Sequence, residues 1–381
     1  MTRTTWTTRA ARTMTRIAAL ALGLCALAGA SACSGGISDS VAGSGSTDAT
    51  GTYVRTTGGV LHVYTWAGYL PDDVIAAYEK DTGTKVTVDT FDSNESLEAK
   101  MQSTGGKGYD IIMPSDYMVK QMISEGLLMK FDATSLPNAS NIKSDFADPY
   151  YDPGLEYSAP YIVGYTGFVY DSTAVSASAA PTSWKTFFAA AGSLGSSQML
   201  DDQVEVTNAA LRAVGYDQCT TRPIAYEKAS RLLSSYRSRV GVISSEGVAD
   251  RLASGEQKIG MAWSYDAHQA IVSNPNLRFV YPTDGTTRFV DNMAISRGAS
   301  NIGQAKTFIN WMLDPKNKVK VEESAGAGSV LKGGDELLPA AMRKDNSVVP
   351  SAAEKRTLRT ERSCTNSIND FYTELYEDFR R

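Results

Sequence analysis

Histidine is scarce in this sequence: 381 residues contain two, His62 and His268. Cysteine is nearly as rare, with four. No Cys/His spacing fits a zinc site, so no metal is expected. No Gly-x-Ser-x-Gly elbow is present to carry a nucleophile. No Gly-x-Gly-x-x-Gly opens a helix, and Gly105-Gly106-Lys107-Gly108 precedes a strand, the wrong order for a phosphate loop, so it reads as a turn. No cofactor is implied. His62 falls within an expected strand and reads as packing. No repeat of 20–50 residues is visible, and no apolar run reaches the roughly 20 residues of a good membrane-spanning helix. Positive charge is also short. The chain has 37 Lys and Arg against 42 Asp and Glu, and Arg3, Arg9, Arg12 and Arg16 all lie in the first 32 residues, which hold no acid. The remainder sets 33 basic against 42 acidic side chains, a charge of −9. So acidic a body is poorly suited to nucleic acid, which needs clustered cations against phosphate. It is compatible with a cationic ligand, although solubility alone also favours net charge.

What is present begins with an address. The Arg-bearing start is followed by an apolar run, Ile17–Ala30, of the length of a secretory h-region. Ala30-Ser31-Ala32-Cys33-Ser34-Gly35-Gly36 resembles a bacterial lipobox, with Ala30 where Leu is usual. Residues 1–32 are therefore expected to be a signal peptide and Cys33 a lipidated residue that anchors the chain to the membrane. Plain secretion after an Ala-x-Ala-like site is the alternative. Residues 33–58, rich in Gly, Ser and Thr, read as a flexible tether. With Cys25 in the signal and Cys33 lipidated, Cys219 and Cys364 remain. They are a candidate disulfide in an oxidising compartment; two separate buried thiols are the alternative.

From Val60 onward strands and helices alternate. Expected strands are Val60–Trp66, Lys85–Phe91, Tyr109–Pro114, Gln198–Leu200, Val240–Ser244, Lys258–Trp263 and Arg288–Ile295. Pro71-Asp72-Asp73 starts a helix with Val74, Ala77 and Tyr78 on its apolar face, and Gly83 ends it. Ser93 or Asn94 caps a helix carrying Leu97 and Met101. Further helices are expected over Asp202–Val214 and Ala225–Arg237. Ala305, Phe308, Ile309 and Met312 mark another, broken by Pro315, and Ile368, Phe371, Leu375 and Phe379 mark the last. The length suits two domains. Strand–helix repetition predicts α/β architecture: two lobes, each a mixed, mostly parallel sheet with flanking helices. Ligands of such sheets bind beyond the carboxyl ends of strands.

Aromatic rings and carboxylates recur at those ends: Trp66 and Tyr69; Ser115, Asp116 and Tyr117; Asp202 and Glu205; Trp263, Tyr265 and Asp266; Phe289 and Asp291. Rings attract an organic ammonium through their quadrupole, and carboxylates accept its charge-assisted hydrogen bonds. Structural roles compete. Trp66 and Tyr69 also suit a core, Asp202 and Glu205 have the spacing of a capping box, and Asp116 and Asp266 also suit helix caps. Paired acids would fit a glycosidase too.

These residues occur in an ordered set of motifs. They include Tyr64-Thr65-Trp66-Ala67-Gly68-Tyr69-Leu70-Pro71, Phe91-Asp92-Ser93-Asn94-Glu95 and Tyr109-Asp110-Ile111-Ile112-Met113-Pro114-Ser115-Asp116-Tyr117. Ser158-Ala159-Pro160-Tyr161, Thr182-Ser183-Trp184 and Phe308-Ile309-Asn310-Trp311-Met312-Leu313-Asp314-Pro315 follow. From Val60 to the C-terminus the chain resembles the periplasmic spermidine/putrescine-binding proteins of ABC importers. The resemblance implies a two-lobed periplasmic-binding-protein fold with its ligand cleft at the hinge. Lobe one would be 59–164 plus 290–335, lobe two 165–289 plus 336–381, with crossovers in Tyr161–Gly167 and Phe289–Ile295. It implies that Trp66, Tyr69 and Trp263 sandwich a polyamine. Ser115 and Tyr117 would lie by one amine, Asp202 and Glu205 by another, and Asp291 by an amine near the hinge. Phe289 stands where the family has Trp, Ala327 where it has Tyr, and Arg362 where it has Gln. The implied function is non-enzymatic. A monomeric extracellular lipoprotein would capture a polyamine and deliver it to an ABC permease. A different cationic metabolite, or a surface sensor on the same fold, are the alternatives.

Overall fold

The computed structural model describes residues 49–194 and 197–381. The expected signal peptide, lipidated Cys33 and first part of the tether lie outside the described residues. The end of the expected tether, residues 49–58, is docked on the body. Lys306 Nζ donates to the carbonyls of Ala49 and Gly51 at 3.2 and 3.3 Å. Thr56 N donates to Thr307 Oγ1 at 2.9 Å, and Arg55 pairs with Asp81 at 2.9 Å. A Gly/Ser/Thr composition removes apolar anchors, but the backbone groups remain and find partners here.

Ten strands among the described residues form one mixed sheet. They are β1 (Val60–Trp66), β2 (Lys85–Phe91), β3 (Ile111–Ile112), β4 (Ser158–Asp171) and β5 (Ser197–Met199), followed by β6 (Val240–Ile243), β7 (Ile259–Trp263), β8 (Leu277–Val280), β9 (Thr286–Ile295) and β10 (Leu358–Thr360). The order is β2-β1-β3-β9-β4-β7-β5-β6, with β10 on β9 and β8 on β4. Pairing is parallel at both ends, β1 with β2 and β3, and β5 with β6 and β7. The antiparallel pairs all involve β4 or β9. Residues 158–166 of β4 pair with residues 287–294 of β9. The far end of β9 then joins β3, and the far end of β4 joins β7. These two strands carry the sheet from one half of the fold to the other.

Local chemistry accounts for the elements. In β1, Leu61, Val63 and Thr65 turn inward and alternate with less buried neighbours, the period of a strand. The helix Asp72–Thr82 carries acids in its first turn and ends on Gly83 at φ 70°, a backbone region where glycine is least strained. It buries Val74 and Tyr78, whereas Ala77 is exposed. Ser93 caps the helix Asn94–Thr104. Pro315 does not end the helical run as expected. It opens a new helix, Pro315–Ala325, whose Asp314 side chain accepts from Lys316 N, because proline suits a first turn that needs no N–H donor. The third strand is shorter than Tyr109–Pro114, with β3 only two residues long. Cys219 and Cys364 are joined as a disulfide, 145 positions apart in sequence.

Candidate ligand site

The chain leaves β1 at Trp66 and turns at once, with Tyr69 N donating to the Trp66 carbonyl. Tyr69 is thereby returned to the sheet's end, where its hydroxyl donates to Asp291 Oδ2 at 2.6 Å. Ser115, the N-cap of the helix Asp116–Ser124, donates to Asp291 Oδ1 at 2.6 Å. Asp291 itself comes from β9 and is 1% exposed. Three separate elements thus meet on one carboxylate. Burial pushes its pKa up to about 6, opposed by the hydroxyls of Ser115, Tyr69 and Tyr265.

Asn94 organises this corner. With Ser93 serving as cap, the Asn94 amide is free to donate to Ser115 Oγ and to Tyr117 Oη, both at 3.1 Å. Its carbonyl accepts from Ser115 N at 3.1 Å. Tyr117 in turn donates to Glu95.

A row of rings runs alongside. Phe91 and Trp66 are 4.6 Å apart edge-on, Trp66 and Tyr69 6.3 Å, Tyr69 and Tyr265 6.2 Å, and Tyr265 and Phe289 5.8 Å. Trp66 is fixed by donating from Nε1 to the Met113 carbonyl at 3.0 Å. Gly164 on β4 leaves the room for this row. A Cβ there would lie 2.3 Å from both the Phe289 ring and the Tyr265 hydroxyl.

Asp202 and Glu205 stand at the other end of the crossover strands. Asp202 caps the helix Gln203–Ala213 and accepts from Glu205 N at 2.9 Å. That is half of a capping box. The other half is missing, because the Glu205 side chain instead accepts from Thr166 of β4. Its Oε2 is buried without a hydrogen-bond partner. Burial raises Glu205 to about 7, with the Asp202 charge adding to it, and burial raises Asp202 to about 6. Trp263 ends β7 directly opposite Thr166. It is half-buried against the main core, and among the described residues no ring contact links it to the Trp66 row.

Two positions differ from expectation. Arg362 is exposed, and its backbone binds Gln218. Its neighbour Glu361, 3% exposed, is the side chain turned inward. The short strand β10 sets this register, with Thr360 opposite Arg288. Asp266 makes no cap bond at the start of the helix Ser264–Ser273, and burial lifts it to about 7. Asp116 is fully buried one residue beyond the cap. Ala327 is also fully buried. His62 bonds to Thr87, and His268 to Asp345.

Asn94 and Phe91 join this corner although nothing in their spacing marked them for it, and Tyr265, one of the strand-end rings, joins it too. The 210 Å³ and 250 Å³ cavities around Arg288 line the opposite face of β9 from Phe289 and Asp291, as strand alternation requires.

Comparison with known proteins places these features in context. A family model of bacterial extracellular solute-binding proteins matches residues 73–342. The chain is similar to spermidine/putrescine-binding periplasmic protein 1 of Haemophilus influenzae, 31% identical over 324 residues, covering 84% of this chain and 88% of that one. Among solved structures it resembles the spermidine/putrescine ABC transporter substrate-binding protein of Streptococcus pneumoniae, with 29% identity, a TM-score of 0.74, and coverage of 84% and 98% of the two chains. It also resembles a lipoprotein of Treponema pallidum, with 27% identity, a TM-score of 0.75, and coverage of 84% and 99%.

Proposed function

The chain belongs to the bacterial extracellular solute-binding proteins, and from that premise we propose that it captures a polyamine, spermidine or putrescine, and delivers it to an ABC permease. The observation that carries this reading is the row of rings from Phe91 to Phe289 set beside buried, incompletely compensated carboxylates. Rings cover the methylenes of such a ligand and attract its cations. Asp291, Asp202 and Glu205 accept its ammonium donors. No bond is made or broken. Residues 59–164 with 290–335, and 165–289 with 336–381, act as two lobes that close over the ligand about β4 and β9. Closure strips water from the ammoniums and presents one shape to the permease. The protein acts as an exported monomer held at the outer face of the membrane by lipid on Cys33, a reading favoured by the lipoprotein among its relatives.

Thermal unfolding tests this. A ligand that binds only the folded state adds about 2.7 kcal/mol of stability at a hundredfold excess over its dissociation constant. Spermidine, spermine, putrescine and cadaverine are expected to raise the midpoint, and neutral sugars to leave it unchanged. Arginine alone raising it would point to another cationic metabolite. No rise with any polyamine, in protein verified free of carried-over ligand, would overturn the reading.

A further inference from the structure

We infer that the buried pair Lys318 and Glu322 is a positioning unit for the ligand site: it holds a bulge in β4 at Tyr161, and through Tyr161 it sets Tyr69 against Asp291. This rests on the polyamine reading above. Both side chains lie on the helix Pro315–Ala325, four residues apart, and neither is exposed at all. Lys318 Nζ stands 3.2 Å from Glu322 Oε1. An apolar pair of similar volume is commonly as stable as a buried ion pair, or more so, so packing alone does not account for these two charges.

What Lys318 holds does account for them. β4 pairs with β9 through Pro160 opposite Asn292 and Ile162 opposite Asp291, and the register shifts between the two. Tyr161 is the extra residue of that bulge. An extra residue is left out of the ladder, and a buried carbonyl without a donor is destabilising. Lys318 Nζ donates to the Tyr161 carbonyl. It also stands 5.2 Å from the centre of the Tyr161 ring, within cation–π range. Burial pulls the Lys318 pKa down, and the Glu322 charge opposes that. Glu322 thus favours the cationic, donating form.

The far end of Tyr161 reaches the site. A bulge re-aims a side chain, and here the Tyr161 hydroxyl donates to the Tyr69 carbonyl at 2.7 Å, with the two rings 6.3 Å apart. Tyr69 follows a sharp turn at Gly68, φ 79°. Its backbone is held by Tyr161, and its hydroxyl donates to Asp291 Oδ2 at 2.6 Å. Direct contacts therefore run from Glu322 through Lys318, Tyr161 and Tyr69 to Asp291, and the bulge adjoins the residue that pairs with Asp291.

The test separates affinity from stability. Spermidine is titrated calorimetrically into the unaltered chain and into folded variants, each with its melting curve. Tyr161→Phe leaves the ion pair and the ring in place and removes the bond to Tyr69. It is expected to weaken spermidine binding about five- to tenfold, the scale of one hydrogen bond. Lys318→Met together with Glu322→Leu removes both charges at similar volume and strands neither. It is expected to weaken binding by a similar factor. All three substitutions together are expected to weaken it no more than about tenfold, because they interrupt one path, whereas independent effects would multiply to about twenty-five- to hundredfold. A role confined to stability would lower the melting midpoint and leave the dissociation constant where it was. Full affinity in Tyr161→Phe would overturn the inference, as would effects that multiply. The Tyr161→Phe comparison stands even if the pair variant does not fold. No heat from the unaltered chain with any polyamine would defeat the polyamine reading itself, and this inference with it.

Discussion

Asp291 sits where three elements meet, and its two hydroxyl partners are already spent on it. A cationic ligand competes for the same oxygens at no loss of satisfaction, because hydroxyls can turn. Asp291→Asn should weaken polyamine binding by about tenfold or more, since a hydrogen bond to a buried charge is worth about 1.5–3 kcal/mol. Unchanged affinity in a titration would remove Asp291 from the site. The raised acids also set a pH response. Asp291 and Asp202 at about 6 and Glu205 at about 7 lie above their ordinary 3.8 and 4.5. The folded state thus holds protons that the unfolded chain has released. The stability these groups contribute is complete below about pH 4 and is lost as pH rises through about 6 to 7. A bound polycation favours the ionised forms and reverses the effect. The unliganded midpoint should therefore fall between about pH 5 and 8, while the rise produced by spermidine grows. A spermidine effect that shrinks over that range would contradict the assignment of these acids to the ligand.

At the scale of elements, β4 and β9 are both the link between the halves and the floor of the site. Gly164 of β4 shows how little tolerance that floor has. Gly164→Ala places a methyl against Phe289 and Tyr265, and overpacking of this kind costs about 1–3 kcal/mol. A melting curve should show that loss together with lost polyamine binding. The disulfide acts on a second element. It ties the segment after Glu361 to the loop behind the helix Gln203–Ala213. In a chain-entropy model a loop of this length is worth about 4–5 kcal/mol as an upper figure. Replacing both cysteines with serine should lower the denaturation midpoint, and an unchanged midpoint would show that native packing alone fixes the segment.

The same elements show what could be read in advance. β1 carries the period of two, β1 and β2 have the expected bounds, and β9 ends at the expected Ile295 but starts two residues early, at Thr286. The long crossover β4 was invisible to pattern, because it is buried on nearly every residue and so has no alternation. It also contains Pro160, which lies at a shift of register beside β9, where a missing donor costs little. β10 has three residues, too few to show a period. Pattern therefore gives no sign that Glu361 is buried and Arg362 exposed. Asn94 stayed hidden for another reason: Ser93 and Asn94 compete for one cap, and only the folded chain decides which is released to build the site.

For the molecule as a whole, the acidic balance of the sequence resolves into a local feature. Many surface acids are paired with Lys or Arg, whereas Glu205 and Asp291 are buried and Glu205 Oε2 has no hydrogen-bond partner. Such an arrangement destabilises the unliganded protein and gains most when a ligand brings the missing charge. The strand-end rule led to Trp66, Tyr69, Ser115, Asp202, Glu205 and Asp291 because sheet topology fixes where strand ends gather. The two-lobed organisation was also readable, from alternation and motif order. How the rings contact one another was not, since it depends on room left by a single glycine. The most direct measurement is calorimetric titration of spermidine into the ligand-free chain near neutral pH. The account predicts saturable binding at one site per chain, with protons released as the buried acids ionise. Absence of binding, or binding without proton release, would contradict it.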